Sequence, residues 1–135
     1  MIRKLCTVAP CIALLAASAV SALAAGGSPK LLSCSGSALL KPTGTVVLSC
    51  ADANSELQST DWISWSARGA RGSTDFGLNL CTPDCAASSI RFFPASTVRL
   101  LDAKRTAKGL VFTRVVVSYS VNGKQRTFTA YLPTR

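Results

Sequence analysis

From residue 30 onward the chain sets short apolar runs between turn residues, and no stretch of ten or more residues keeps a helical period. Such runs predict β-strands. They fall at 30–35, 45–50, 61–67, 89–93, 97–102, 110–121 and 124–132. The clearest lie in "GLVFTRVVVSYSVNGKQRTFTAYLP", residues 109–133, where Asn122-Gly123 supplies two positions that tolerate positive φ and so marks a type I′ hairpin turn. That turn places residues whose numbers sum to 245 opposite each other. Val117 then faces Phe128, Val115 faces Ala130, Thr113 faces Leu132 and Tyr119 faces Arg126. On the other face Ser118 meets Thr127, Ser120 meets Gln125 and Arg114 meets Tyr131. One side is apolar and the other mainly polar, as a sheet with one buried face requires. The expectation is an all-β domain: a small antiparallel β-sandwich of immunoglobulin-like architecture, or a compact barrel, with about seven short strands.

The first 24 residues have a different pattern. Arg3 and Lys4 precede an alanine-rich apolar run that ends in Ala22-Leu23-Ala24, the layout of a secretory signal peptide cleaved after Ala24. The 21 apolar residues 5–25 could also span a bilayer, but they are mostly Ala and Ser and hold Pro10. The mature chain is expected to carry no membrane span. Residues 25–33 read as a flexible "GGSPK" lead-in and a first strand, and 34–135 as one stapled domain. Taking 24 from 135 leaves 111 residues, enough for one modest core.

Export changes the meaning of the cysteines. Cys6 and Cys11 leave with the leader, and Cys34, Cys50, Cys81 and Cys85 remain, an even number suited to two disulfides in an oxidising compartment. Four cysteines allow three pairings. A turn through Pro83 brings Cys81 and Cys85 within bonding range, which leaves Cys34 with Cys50. Thioredoxin-type redox motifs have two intervening residues rather than three, and the chain has no histidine to complete a mixed zinc site. No metal or other cofactor is expected. Asp52, Asn54 and Glu56 alternate like the start of a calcium loop, but Leu57 stands where glycine is needed and Ile63 where the closing glutamate would be. An Asx turn after Cys50 is the simpler expectation.

In the middle segment, residues three apart on a regular strand point to opposite faces, so one of Trp62 and Trp65 should enter the core and the other lie nearer the surface, either packed under the loop or presented as a ligand platform beside Arg68 and Arg71. Gly69, Gly72 and Gly77 suggest a mobile loop before Cys81. Trp62, Trp65, Arg68 and Arg71 therefore form the candidate binding surface. The elements Cys50-Ala51-Asp52-Ala53-Asn54, Trp62…Trp65, Ala70, Gly72 and Asn79-x-Cys81-x-Pro83-x-Cys85-Ala86 resemble small exported actinobacterial proteins, mycobacterial in type, of unassigned function. Ala53 and Ala87-Ser88 depart from the glycines of that pattern. The resemblance covers about residues 34–86; it implies a secreted, disulfide-bonded module and carries no catalytic residues.

Without histidine there is no Ser-His-Asp or Cys-His catalysis. Nucleophile elbows, phosphate-binding glycine loops and dinucleotide fingerprints are missing too. A hydrolytic carboxylate pair could come only from Asp52, Glu56, Asp61, Asp75, Asp84 and Asp102. The chain reads as a non-enzyme. After the leader, 13 basic residues face 6 acidic ones, but they are scattered, without a block of five, and in sequence their plainest role is solubility. No motif of a nucleic-acid fold is present, so no specific nucleic acid is expected. The expected role is a secreted or cell-envelope binding or structural module, its partner a protein or an anionic envelope polymer. The alternative is an inhibitor of an extracellular enzyme such as a protease, presenting the 81–85 loop.

Overall fold

The computed structural model describes residues 27–135; the signal peptide expected at 1–24 lies outside them. Eight antiparallel strands follow: β1 (Leu31–Leu32), β2 (Ala38–Leu39), β3 (Val46–Val47), β4 (Ser55–Ser66), β5 (Gly69–Asn79), β6 (Ile90–Thr106), β7 (Gly109–Val121) and β8 (Lys124–Tyr131). β1 and β2 pair with each other, while β3 to β8 form one six-stranded sheet in sequence order. The fold is all-β and sandwich-like, as the alternation predicts, and its layers are two parts of a single meandering sheet.

The sheet is curled, and the aromatic contacts show it. Trp65 on β4 meets Phe112 on β7 with ring centroids 5.3 Å apart, and Phe76 on β5 meets Phe128 on β8 at 5.1 Å. In a flat sheet, strands three places apart would be separated by about 14 Å. Leu57, Phe76, Val98, Leu100, Val115 and Val117, from four strands, are fully buried in the enclosed core. Each such side chain contributes roughly 1.5–3 kcal/mol on burial.

Curling needs local breaks in the pleat. β4 gains an extra residue relative to β5 between Gln58 and Asp61, and another between Trp62 and Ser64. β6 gains one at Pro94-Ala95. Ser59 and Ala95, with φ of 50° and 55°, sit at two of these bulges in the left-handed region. Bulges of this kind bend a strand and increase its twist.

The 109–133 hairpin has the register that its turn dictates, from Val121 with Lys124 to Arg114 with Tyr131. The N–H of Leu132 then bonds the Thr113 carbonyl at 2.9 Å. Asn122 and Gly123 have φ of 50° and 75°, as a type I′ turn requires. Past the end of β8, the free edge of β7 is taken by Lys30, whose N–H bonds the Leu110 carbonyl and whose carbonyl accepts from Phe112. The Cys34–Cys50 bond then ties this segment to the chain just after β3, with Cα atoms 5.2 Å apart. The N-terminal segment thus spans from one side of the sheet to the other. The Cys81–Cys85 bond forms as expected, with Cα atoms 3.9 Å apart. On the chain-entropy model the two loops are worth about 3 and about 2 kcal/mol.

Three expectations need correction. Residues 69–79 are not a mobile loop but strand β5, in the interior of the sheet. Its glycines mark close approach: a Cβ on Gly72 would lie 2.5 Å from the Asp61 carbonyl oxygen, and one on Gly77 within 2.9 Å of Glu56, Ile90 and Phe92. The runs 89–93 and 97–102 are one 17-residue strand, β6, because the Pro94-Ala95 bulge absorbs the break without ending the pairing. The lead-in is docked from Pro29, which is buried and whose carbonyl accepts the Trp65 indole N–H at 2.8 Å.

If glycine is required sterically, Gly72→Ala should lower stability by about 1–3 kcal/mol. Gly44→Ala, at a position with no heavy atom within 4 Å of the added carbon, should leave the thermal unfolding midpoint nearly unchanged. Calorimetry on both variants checks this.

Candidate functional site

The four residues singled out in the sequence do not form one surface. The bulge at Ile63 adds a residue between Trp62 and Trp65, which cancels the opposite-face rule, and both rings turn inward. They meet edge to face with centroids 4.7 Å apart and pack against the core. Each indole N–H is satisfied, Trp62 by the Pro42 carbonyl at 2.9 Å and Trp65 by Pro29. Arg71 pairs with Ser64 on the opposite, outer face, and Arg68 lies exposed in the β4–β5 turn. The tryptophans anchor the N-terminal half of the chain; the arginines face solvent.

The outer face is where the arginines acquire neighbours. Cross-strand partners stand in rows about 7 Å apart along the strands. One row is Ser73, Thr97, Ser118 and Thr127; the next is Arg71, Arg99, Val116 and Thr129; a third is Leu101, Arg114 and Tyr131. Arg71 and Arg99 are therefore directly opposed, a like-charge arrangement that costs up to about 1 kcal/mol. Among the described residues the only ion pair joins Arg114 Nε to Asp102 Oδ2, at 2.7 Å. No carboxylate bridges Arg71 or Arg99.

Next to the third row, β6 and β7 run on as a ribbon whose tip holds Lys104, Arg105 and Lys108, all exposed. Arg68 lies at the same end, since Gly69 abuts Leu101. Arg71, Arg99 and Arg114 on this face thus gather with Arg68, Lys104, Arg105 and Lys108 at this end, near Asp61 and the already paired Asp102, while Glu56 and Asp75 lie toward the far end of the face. From residue 103 to the end the chain contains no acidic residue at all. A polar depression of about 420 Å³ lies at the other end of the face, beside the Pro94-Ala95 bulge, lined by Thr97, Ser118, Ser120, Gln125 and Thr127. A second, of about 680 Å³, lies beside Lys104, Arg105 and Tyr131. From Ser120 to Arg114 this lane measures about 20 Å.

Arg99 and Arg114 are absent from the sequence-derived surface. The signal that finds Arg99 is the pairing of 69–79, as a strand, with 90–106, which places it across from Arg71.

A separate feature is the 80–89 loop. Asn79, buried, donates from Nδ2 to Asn54 Oδ1 and to the Cys85 carbonyl, both at 2.9 Å. Its Oδ1 accepts from the Cys81 N–H at 2.9 Å and from the Ser88 hydroxyl. Asp84 Oδ1 caps the N–H groups of Ala86 and Ala87. The disulfide and these bonds hold Thr82, Pro83 and Asp84 outward on a fixed frame. The expected Asx turn is present nearby, with Asn54 N–H on Asp52 Oδ1 at 3.2 Å. Among the described residues no group of three or more acidic or cysteine side chains could hold a metal ion, and no helix is long and apolar enough to cross a membrane.

Asn79→Ala should cost about 2–3 kcal/mol by leaving loop polar groups unpaired. It should also speed amide exchange across 81–89 while intact mass still shows both disulfides. Unchanged exchange would mean that the disulfide alone fixes the loop.

No family model, curated protein or solved structure matches this chain.

Proposed function

We propose that this chain is a non-catalytic secreted or cell-envelope module that binds an anionic polymer along the outer face of its sheet. The observation carrying this reading is the directly opposed Arg71 and Arg99, unpaired and in line with the basic β6–β7 tip. Solubility needs charge anywhere; it gives no reason to face two guanidinium groups across one pair of strands. A polymer with phosphate, sulfate or carboxylate groups would relieve their repulsion and accept charge-assisted hydrogen bonds from both. The neighbouring Ser and Thr rows offer donors and acceptors for the uncharged part of such a chain. Export is supported by the signal-like leader, by the two disulfides and by the resemblance to small exported actinobacterial proteins.

Heparin serves as a probe polyanion. The protein should bind it with an affinity that falls as salt rises, because exposed charges are screened. Arg71→Gln with Arg99→Gln should weaken binding roughly tenfold, a loss of about 1.4 kcal/mol. Lys41→Gln with Arg91→Gln removes the same charge away from the lane, at two exposed positions, and should change affinity much less. Equal losses in the two variants would reduce the effect to net charge and remove the proposed site.

The clamped 81–85 loop supports a second reading, inhibition of an extracellular protease by a loop that is bound but held too rigidly to be released. A panel of secreted proteases assayed with micromolar protein separates the two. Inhibition sensitive to Pro83→Gly and indifferent to the Arg71/Arg99 variant would favour the loop; no inhibition would leave the polymer reading alone.

A further inference from the structure

The sheet has two edges, and they are treated differently. β3 is two residues long and the disulfide-tied segment crosses beside it. β8 is eight residues long, and among the described residues its backbone bonds only to β7. The hydrogen bond from Leu132 N–H to the Thr113 carbonyl fixes which groups face outward. In an antiparallel pair, hydrogen-bonded and non-bonded positions alternate, so residues 124, 126, 128 and 130 face β7. The N–H and C=O groups of Gln125, Thr127, Thr129 and Tyr131 then point away from the sheet. Four donors and four acceptors lie in a row with no protein partner.

The side chains on the concave face of this edge are Lys124, Arg126, Phe128 and Ala130. The first two are exposed, and the last two are half-buried against the core. Charges directed inward on an edge strand oppose sheet-to-sheet association with another copy. A two-fold pairing of β8 with itself would gather Lys124 and Arg126 of both chains beside Phe128 and Ala130, without a counter-charge. No acidic residue exists from 103 to the end to compensate. We propose that the β8 edge accepts, by strand addition, an extended segment of a partner protein that carries carboxylates at alternate positions. The added backbone would satisfy the outward groups of Gln125, Thr127, Thr129 and Tyr131. Its carboxylates would lie opposite Lys124 and Arg126, and an apolar residue would extend the Phe128–Ala130 surface.

A ten-residue peptide alternating glutamate and valine is the probe, read by amide exchange of the full exported chain. Free protein should exchange the amides of 125, 127, 129 and 131 quickly, and saturating peptide should slow them at least tenfold. Thr127→Pro with Thr129→Pro removes two outward donors and leaves the bonds to β7 in place; it should abolish peptide protection while near-ultraviolet circular dichroism stays native. Should that variant unfold, Lys124→Glu with Arg126→Glu provides the second test and should exchange preference for glutamate–valine against a lysine–valine peptide. Protection that appears without peptide and grows with protein concentration would assign the edge to a second copy and overturn the proposal. So would the absence of protection at millimolar peptide.

Discussion

A sheet with a single apolar face must cover that face, and among the described residues there is no helix to do it. The six-stranded meander covers itself by curling, so that β4 and β5 meet β7 and β8 across Trp65, Phe76, Phe112 and Phe128. Everything else follows from that curl. It requires extra residues at the β4 and β6 bulges, close approach of backbone at Gly72 and of side chains at Gly77, and a strap that spans from the β7 edge to the β3 side. The strap has little apolar surface of its own beyond Leu31 and Leu32. It is fixed instead by the Lys30 bridge to β7, the Trp65 bond to Pro29 and the Cys34–Cys50 link. For a domain of this size those few attachments are a large share of net stability.

What could be read from the sequence was whatever local chemistry decides. Asn122-Gly123 sets the hairpin register, because only one turn type suits both the dipeptide and the strand twist, and the alternation of 109–133 agrees with it. The disulfide pairing follows from chain reach. Bulges are the opposite case. An extra residue at Ile63 or Ala95 has no compositional mark, yet each one reverses the faces of every residue beyond it. Hence regular alternation sets the two tryptophans on opposite faces and divides β6 in two, where the bulges do neither. Gly69, Gly72 and Gly77 are ambiguous for a related reason: glycine occurs where neighbouring backbone or side chains press close as well as where a loop moves. The neighbour of Arg71 becomes legible only once 69–79 is a strand paired with β6, which sets Arg99 opposite it.

Curling also divides the molecule's tasks by face. The inner face is committed to packing, and its polar groups are paired, including Thr60 with Thr74 and both indoles. The outer face contributes little to the core, so its residues are free to be unfavourable to folding. Arg71 opposite Arg99 is such a case. Replacing either by threonine would suit the strands and relieve the repulsion, which makes the pair a poor choice for stability and a coherent one for an anion.

A curled sheet differs from a closed barrel in one respect that bears on recognition: it keeps an edge. Closure would have paired β8 with β3, but β3 is too short, and the strap takes the β7 edge only beyond the Tyr131 end of β8. The exposed backbone is thus a geometric consequence of how the N-terminal segment is tied down. It falls on the strand that borders the hydroxyl rows and lies within a stretch free of acidic residues. Both proposed contacts, side chains on the outer face and backbone on the β8 edge, therefore favour the same sign of charge in a partner. They remain separable, because the first is carried by guanidinium groups on β5 and β6 and the second by N–H and C=O groups on β8. A polyanion without a peptide backbone can satisfy the first only.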